Sequence, residues 1–419
     1  MRLAGVASVI FGGIIFFDGL MGNLAVRFRT VSFVVSAFFA LVGLGFLVLE
    51  RGLKIIYPAS RRRGWGGVKV GLRTCDNHRR PEMKYSGIDL HSNNSVVTVT
   101  DEEDRVVAEK RLPNDLAKIL GLLMPWREEM AGVVVESTFN WYWLVDGLQA
   151  AGFKVHLANT TAIRKYAGLK HSGDEADARY LAHLLRLGIL PTGTILPPAQ
   201  RAVRDLARKR MQLVRSRTTH ILAVENITAR QHGARISSNQ VKRLTVETVD
   251  QMPLPEDVAL AIKTNVAVIT TLSAQIDLLE KRLQEKIGER AEYGLLTSVP
   301  GVGQVLATTI LLETGPIERF AAAGNFASYA RCVDSVRTSN GKKKGEGNTR
   351  NGNKYLAWAF VEAANFALRY CTEAKRFYER KRAKTNNVVA IKALAHKLAR
   401  ACFHILNERK PFDVTRCFA

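Results

Sequence analysis

The sequence predicts an α/β domain with a mixed sheet, then a long helical region, then a mainly helical C-terminal domain. Three observations carry this. Residues 84–111 alternate in short β-rich runs with polar turns, and β and α patterns then follow one another, as in an α/β sheet domain. Residues 201–290 hold two long stretches of helical periodicity. Beyond 291 the apolar spacing stays helical and is interrupted by glycine-bearing turns.

In chain order, Tyr85–Asp89 leads to a turn at His91–Asn94, then to Ser95–Thr100 and Arg105–Leu112, a meander of three strands. Asp115–Met130 carries Leu116, Ile119, Leu120, Leu123 and Met124 at helical spacing. Gly132–Val135 is a wholly apolar strand ending on Glu136. A helix is expected over 140–151, a short strand over 153–157, and an amphipathic helix over His171–Leu185. Arg201–Thr228 is a basic helix whose apolar stripe includes Val203, Leu206, Leu213, Val214, Ile221 and Val224. Its one-signed face, with Arg201, Arg204, Arg208, Lys209, Arg210, Arg215 and Arg217, suits either solvent or a phosphate backbone. From Glu256 to Arg290, Ile262, Ile269, Ile276 and Leu283 recur every seven residues, with Asn265 at a core position. This is a coiled-coil seam that could pack on the first helix or on a second chain. Trp141, Trp143 and Trp358 sit at apolar-patterned positions, where core packing is the default.

The chain has 419 residues, 47% hydrophobic, with 61 Lys/Arg against 38 Asp/Glu for a net charge of +23. That composition excludes wholesale disorder and calls for a polyanionic partner, nucleic acid or an anionic membrane. Five scattered cysteines without a CxxC pair exclude a disulfide scaffold or zinc knuckle and fit a reducing cytoplasm. Residues 1–82 stand apart. They hold twelve Lys/Arg and four Asp/Glu, a net of +8, which leaves +15 for the other 337 residues. Residues 31–49 run nineteen positions without a charge, long enough for a transmembrane helix, and Arg51, Lys54 and Arg61–Arg63 follow. The soluble character of everything after Met83 favours translation from Met83, with 1–82 an extension upstream of it; a true membrane anchor is the other reading.

Two acids occupy strand ends, Asp89 and Glu136, where ligands of α/β sheets bind. Asp174 and Asp177, at i and i+3, share one face of a helical first turn. Taken singly each is weak: Asp174 suits a helix N-terminus and Asp89 a turn, whereas Glu136, directly after Val133–Val135, must be partly buried and calls for a partner. As a set, four convergent carboxylates call for a hard cation, Mg²⁺ or Mn²⁺, suited to phosphodiester chemistry. Further on, Leu295–Ala307 reads as a helix-hairpin-helix element, in which Gly301 and Gly303 permit the turn and the next helix start can bind a DNA phosphate. Ser339 lies in a Gly- and Asn-rich basic loop with Lys342, Lys343, Lys344, Arg350 and Lys354, residues expected to bind nucleic acid. From composition alone that serine is a loop residue.

The segments GIDLHSNN, VVVES, GDEADARYLA, SVPGVG and SNGKKKGEGN…NGNKYLAWAFVEAANFA, in this order, resemble the IS110 family of insertion-sequence transposases, in particular its IS-eleven-eleven branch. The resemblance runs from about Met83 to the C-terminus. It implies a RuvC-like, RNase H-fold DEDD domain with Asp89, Glu136, Asp174 and Asp177 as the acids. It further implies a C-terminal domain whose Ser339 forms a covalent link to DNA, a coiled coil that assembles dimers or tetramers, and a structured bridge RNA that guides target choice. In place of the family's Gly-Leu-x-Pro this chain has Cys332-Val333-Asp334-Ser335, which leaves Ser335 as the alternative nucleophile.

The expected organisation is thus an extension over 1–82, a DEDD domain over 83–200, a helical coiled-coil region over 201–290 and a transposase domain over 291–419. The expected activity is DNA strand cleavage and exchange in the bacterial cytoplasm at the nucleoid, with a membrane involved only through 31–49. A RuvC-like nuclease or junction resolvase that activates water is the alternative. A binding protein with a degenerate site predicts no metal-dependent strand breakage, and an actin-like sugar kinase lacks the second glycine-rich phosphate hairpin it needs.

Overall fold

The computed structural model describes residues 82–163, 173–346 and 351–418. These all belong to the second of the two units, 1–78 and 79–419, into which the chain divides. The apolar span at 31–49, His171 and Arg350 lie outside the described residues.

The N-terminal part is a six-stranded mixed sheet of order β3-β2-β1-β4-β5-β6. β1 (Lys84–Leu90), β2 (Asn94–Thr100) and β3 (Val106–Pro113) form the antiparallel meander. α1 (Leu116–Leu123) then returns the chain, capped by the Asp115 side chain. It is shorter than the apolar spacing suggests, because Pro125 removes a backbone donor and the last turn tightens to 3₁₀ geometry over Met124–Glu129. β4 (Met130–Glu136) runs parallel to β1, α2 (Tyr142–Ala150) follows, and β5 (Val155–Ala158) runs parallel to β4. α3 (Asp174–Arg186) and the short β6 (Thr192–Gly193), antiparallel to β5, complete the domain. This mixed α/β arrangement is consistent with an RNase H-like fold.

Residue parity decides what covers each face. Ile88, Leu90, Val133 and Val135 face α1 and α2, where Ile119, Leu123, Leu144, Val145, Leu148 and Trp141 close a core. The alternate residues face α3, with Val134 against Leu181. Burial on both faces explains why 132–135 read as continuously apolar.

α4 (Pro198–His232) and α7 (Glu256–Ile287) form the middle, linked through α5 (Ser238–Val241) and α6 (Val246–Asp250). Cross-contacts run in opposite senses, Arg210 to Glu280, Arg217 to Ser273 and His220 to Asn265, so the two long helices are antiparallel. Ile262, Ile269, Ile276 and Leu283 are all buried, and Asn265 Oδ1 lies 2.9 Å from His220 Nδ1. The seam is therefore used within the chain. α7 is also the one helix among the described residues long and apolar enough to cross a membrane by length and composition.

The arginines of α4 are mostly spent internally. Arg201 is 1% exposed, ion-paired with Asp146 and stacked on Trp141 and Tyr142. Arg208 donates to both oxygens of buried Glu313 at 2.6 and 2.7 Å, and Arg210 reaches Glu280 at 2.8 Å. The basic stripe is thus chiefly glue between helices, and among its cations Lys209 and Arg215 remain exposed. Charge counting along a helix cannot see carboxylates that arrive from elsewhere in the chain.

The C-terminal part packs α8 (Ala291–Thr297), α9 (Gln304–Thr314), α10 (Ala323–Tyr329), α11 (Lys354–Tyr370), α12 (Thr372–Lys384), α13 (Asn387–Glu408) and α14 (Val414–Phe418). Their core centres on Phe326, Phe360, Leu394 and Leu398, and a two-stranded hairpin, β7 (Val336–Ser339) and β8 (Lys342–Glu346), stands between α10 and α11 in sequence. Trp141 is buried, and Trp143 and Trp358 pack partly buried against the two main cores.

Candidate functional site

β1 and β4 place two carboxylates side by side. Ile88 pairs with Val135 in parallel register, so the next residues, Asp89 and Glu136, stand level on neighbouring strands and on the same face. That face is the one α3 crosses, and α3 comes unusually close. A Cβ on Gly87 would lie 2.0 Å from the Ala178 carbonyl oxygen and 2.8 Å from the Ala182 nitrogen, so only glycine lets the helix seat there. The first turn of α3, carrying Asp174, Glu175 and Asp177, thereby reaches the carboxyl ends of the strands. Its N-terminal dipole offsets part of the repulsion among these acids.

Asp89 is 3% exposed, Asp174, Asp177 and Glu136 are half-buried, and His91 sits between two of them. His91 Nε2 is 3.2 Å from Asp89 Oδ2 and 3.3 Å from Asp174 Oδ2. Asp89, His91 and Asp174 form a cluster whose ligand atoms lie within 4.8 Å of one another. Glu136 and Asp177 are adjacent by register and helix position but stand outside that tight cluster. Arg111 on β3 donates to Asp174 at 2.7 Å and to Glu175 at 3.2 Å. The Arg111 hydrogen bond, aided by His91, holds the Asp174 carboxyl below the usual carboxylate range.

The donor set fits a hard divalent cation. It offers carboxylate oxygens from three segments, and the Arg111 guanidinium already sits on one of them. His91 Nε2 is buried and, though close to two carboxylates, makes no well-aligned hydrogen bond. A second acidic cluster, Glu82, Asp101 and Glu103, is instead closed by Arg105 and Lys84. His91 and Arg111 are the site residues that sequence reading missed. The histidine was visible two positions after Asp89, whereas Arg111 lies on another strand and had no local signal.

The second part of the site is the hairpin. Residues read as an irregular basic loop form two strands joined at Asn340-Gly341, both with positive φ (49° and 70°), as a type I′ turn requires. The Asn-Gly pair was the available signal. Ser339 ends β7, is exposed, and pairs directly with Lys342, so both side chains project from one face. Lys343 and Lys344 are exposed on β8, and Ser335 is half-buried before β7. Lys354 is exposed at the start of α11, where Asn353 caps the helix through Tyr355 and Leu356 amides and also donates to Glu313 at 2.7 Å.

Gly301 and Gly303 differ in role. Gly301 has φ +87° and faces α11 so closely that a Cβ would sit 2.3 Å from the Ala363 oxygen. Packing therefore accounts for that glycine. Gly303 is exposed, has open space around it, and caps the start of α9.

Residues 86–228 match a transposase family model, the IS110-type DEDD transposase domain, and residues 293–379 match the model of the IS116/IS110/IS902 transposase family. A family 20 transposase of Pseudomonas aeruginosa is 23% identical over 77% of this chain and 96% of its own length. A transposase of the IS117 mini-circle from Streptomyces coelicolor is 26% identical over 80% of this chain and 96% of its own length. The transposase of IS1328 from Yersinia enterocolitica is 23% identical, covering 80% and 99%. With both halves matched in order, the chain belongs to the IS110 family of transposases, enzymes that cut and recombine DNA.

Proposed function

We propose that this transposase cuts and rejoins DNA through a covalent serine–DNA intermediate, using Mg²⁺ or Mn²⁺ held by Asp89, Glu136, Asp174 and Asp177. The observation that best supports this is the level placement of Asp89 and Glu136 beneath the acidic first turn of α3. A divalent cation bound there would neutralise charge on the scissile phosphate and the leaving oxygen. The other steps fall to the chain's own side chains. Ser339 Oγ attacks phosphorus; the Oγ–P bond forms as the phosphorus–sugar oxygen bond breaks. The serine proton passes to water, and the departing sugar oxygen takes up another. Lys342, projecting beside Ser339, stabilises the negative charge that develops. Lys343, Lys344, Arg350 and Lys354, with the open amides at Gly303, hold the DNA backbone.

In this reading the sheet domain is RuvC-like, α8–turn–α9 acts as a helix-hairpin-helix, and the α4–α7 pair contributes to a coiled-coil dimer or tetramer. A bridge RNA selects the DNA, and the enzyme works in the cytoplasm at the nucleoid. The domain limits are 83–200, 201–290 and 291–419. Denaturing-gel trapping of a protein–DNA adduct tests the chemistry. Ser339→Ala should abolish the adduct and Ser335→Ala should keep it; an adduct surviving Ser339→Ala refutes the role of Ser339.

One observation favours a second reading. Ser339 is exposed, and among the described residues no hydrogen bond joins it to a base. A RuvC-like nuclease or resolvase that activates water would cut DNA without an adduct and would be indifferent to Ser339→Ala.

A further inference from the structure

The loop that leaves the carboxylate site carries an aromatic ring with no packing role. Phe139, three residues after Glu136, is 85% exposed, the most exposed large hydrophobic side chain among the described residues. The backbone beneath it is well tied. The Thr138 amide donates to the Glu136 carbonyl at 2.9 Å, and the Thr138 hydroxyl donates to Asn140 Oδ1 at 2.9 Å. Asn140 Nδ2 donates to the His91 carbonyl at 2.9 Å, which also accepts from Asn114 at 3.0 Å. Trp141, next in sequence, is buried in the sheet core. The ring is thus held out into solvent by a loop anchored at Glu136, at His91 and in the core.

We propose that Phe139 is a positioning residue whose ring stacks on an unpaired DNA base beside the phosphate held at the Asp89–Glu136–Asp174 carboxylates. This rests on the metal-site reading above. Three residues span at most roughly 10 Å, so the backbone at Phe139 lies within about three nucleotides' rise of that at Glu136, at ~3.4 Å per nucleotide of a strand. An exposed apolar ring at the rim of a DNA-cutting site finds its natural partner in a base face, which is covered within a duplex and free once the strand opens. Stacking needs no particular base, so the ring would fix the strand's position without reading its sequence.

The test uses the full-length chain and a forked DNA with 2-aminopurine at successive unpaired positions, with Ca²⁺ replacing Mg²⁺. Wild type should change the fluorescence at one or two adjacent positions. Phe139→Ala should lose that change and weaken fork binding on the order of tenfold to a hundredfold, while binding of fully paired duplex stays the same. Phe139→Trp should restore both. Its exposure predicts an unaltered melting temperature for Phe139→Ala. Four results would overturn the proposal: an unchanged fluorescence profile, equal weakening for fork and duplex, a change in sedimentation without loss of the fork signal, or a position-specific signal with forked RNA alone. Mn²⁺ binding followed by electron paramagnetic resonance separates the two readings. Phe139→Ala should bind Mn²⁺ as wild type does, and Asp89→Asn should not. Retained Mn²⁺ binding in Asp89→Asn would remove the metal-site reading and, with it, the placement of the base, whatever the fluorescence shows.

Discussion

Gly87→Ala offers a direct test of how packing sets the carboxylate site. The added Cβ would stand 2.0 Å from the Ala178 carbonyl oxygen, so α3 must retreat by about 1.4 Å to reach ordinary van der Waals distance. The obstacle is helix backbone, which cannot rotate aside as a side chain can. Overpacking of this kind costs about 1–3 kcal/mol. The functional loss should be larger, because α3 carries Asp174 and Asp177 while Asp89 and Glu136 stay with the sheet. A misplacement near 1 Å can lower a rate on the order of a hundredfold. Urea unfolding measures the first effect, and strand cleavage on saturating DNA the second. Gly121→Ala serves as control: it lies in α1 with open space around it and should stabilise by ~0.5–1 kcal/mol. If Gly87→Ala unfolds at the wild-type urea concentration and cuts DNA at the wild-type rate, the close seating of α3 does not govern the site.

Arg208→Ala leaves Glu313 buried without its bidentate partner and should cost ~3–5 kcal/mol in urea unfolding; Arg208→Lys should recover only part of that. Gly341→Ala places a Cβ at φ 70° in the hairpin turn and should cost ~1–2 kcal/mol locally, lowering adduct formation while Mn²⁺ binding stays unchanged. The Glu408 carboxyl is pushed down to about 2 by Arg416. A depressed pKa means that this pair stabilises the fold above the unfolded value near 4.5, and that its contribution fades as pH falls through about 2. Melting temperatures of wild type and Arg416→Gln should therefore differ at pH 6 and converge at pH 2.

Much of this protein is legible in one dimension. The meander, the buried strand ending on Glu136, the acids two strands and a helix apart, and the heptad spacing of Ile262, Ile269, Ile276 and Leu283 are local patterns, and local patterns follow from the period of the strand or helix that bears them. Motif order supplied the family, and both matched regions agree with it. Three-dimensional packing decided the rest. It spent the arginines of α4 on Asp146, Glu313 and Glu280, partners 55 to 105 residues away. It brought Arg111 and His91 onto Asp174, turned a basic loop into a hairpin that pairs Ser339 with Lys342, and assigned Gly301 to helix contact. The physical reason is one of range. Helical and strand periods depend on neighbours a few residues apart, whereas the partner of a charge or a glycine's missing Cβ is whatever distant segment the fold delivers there.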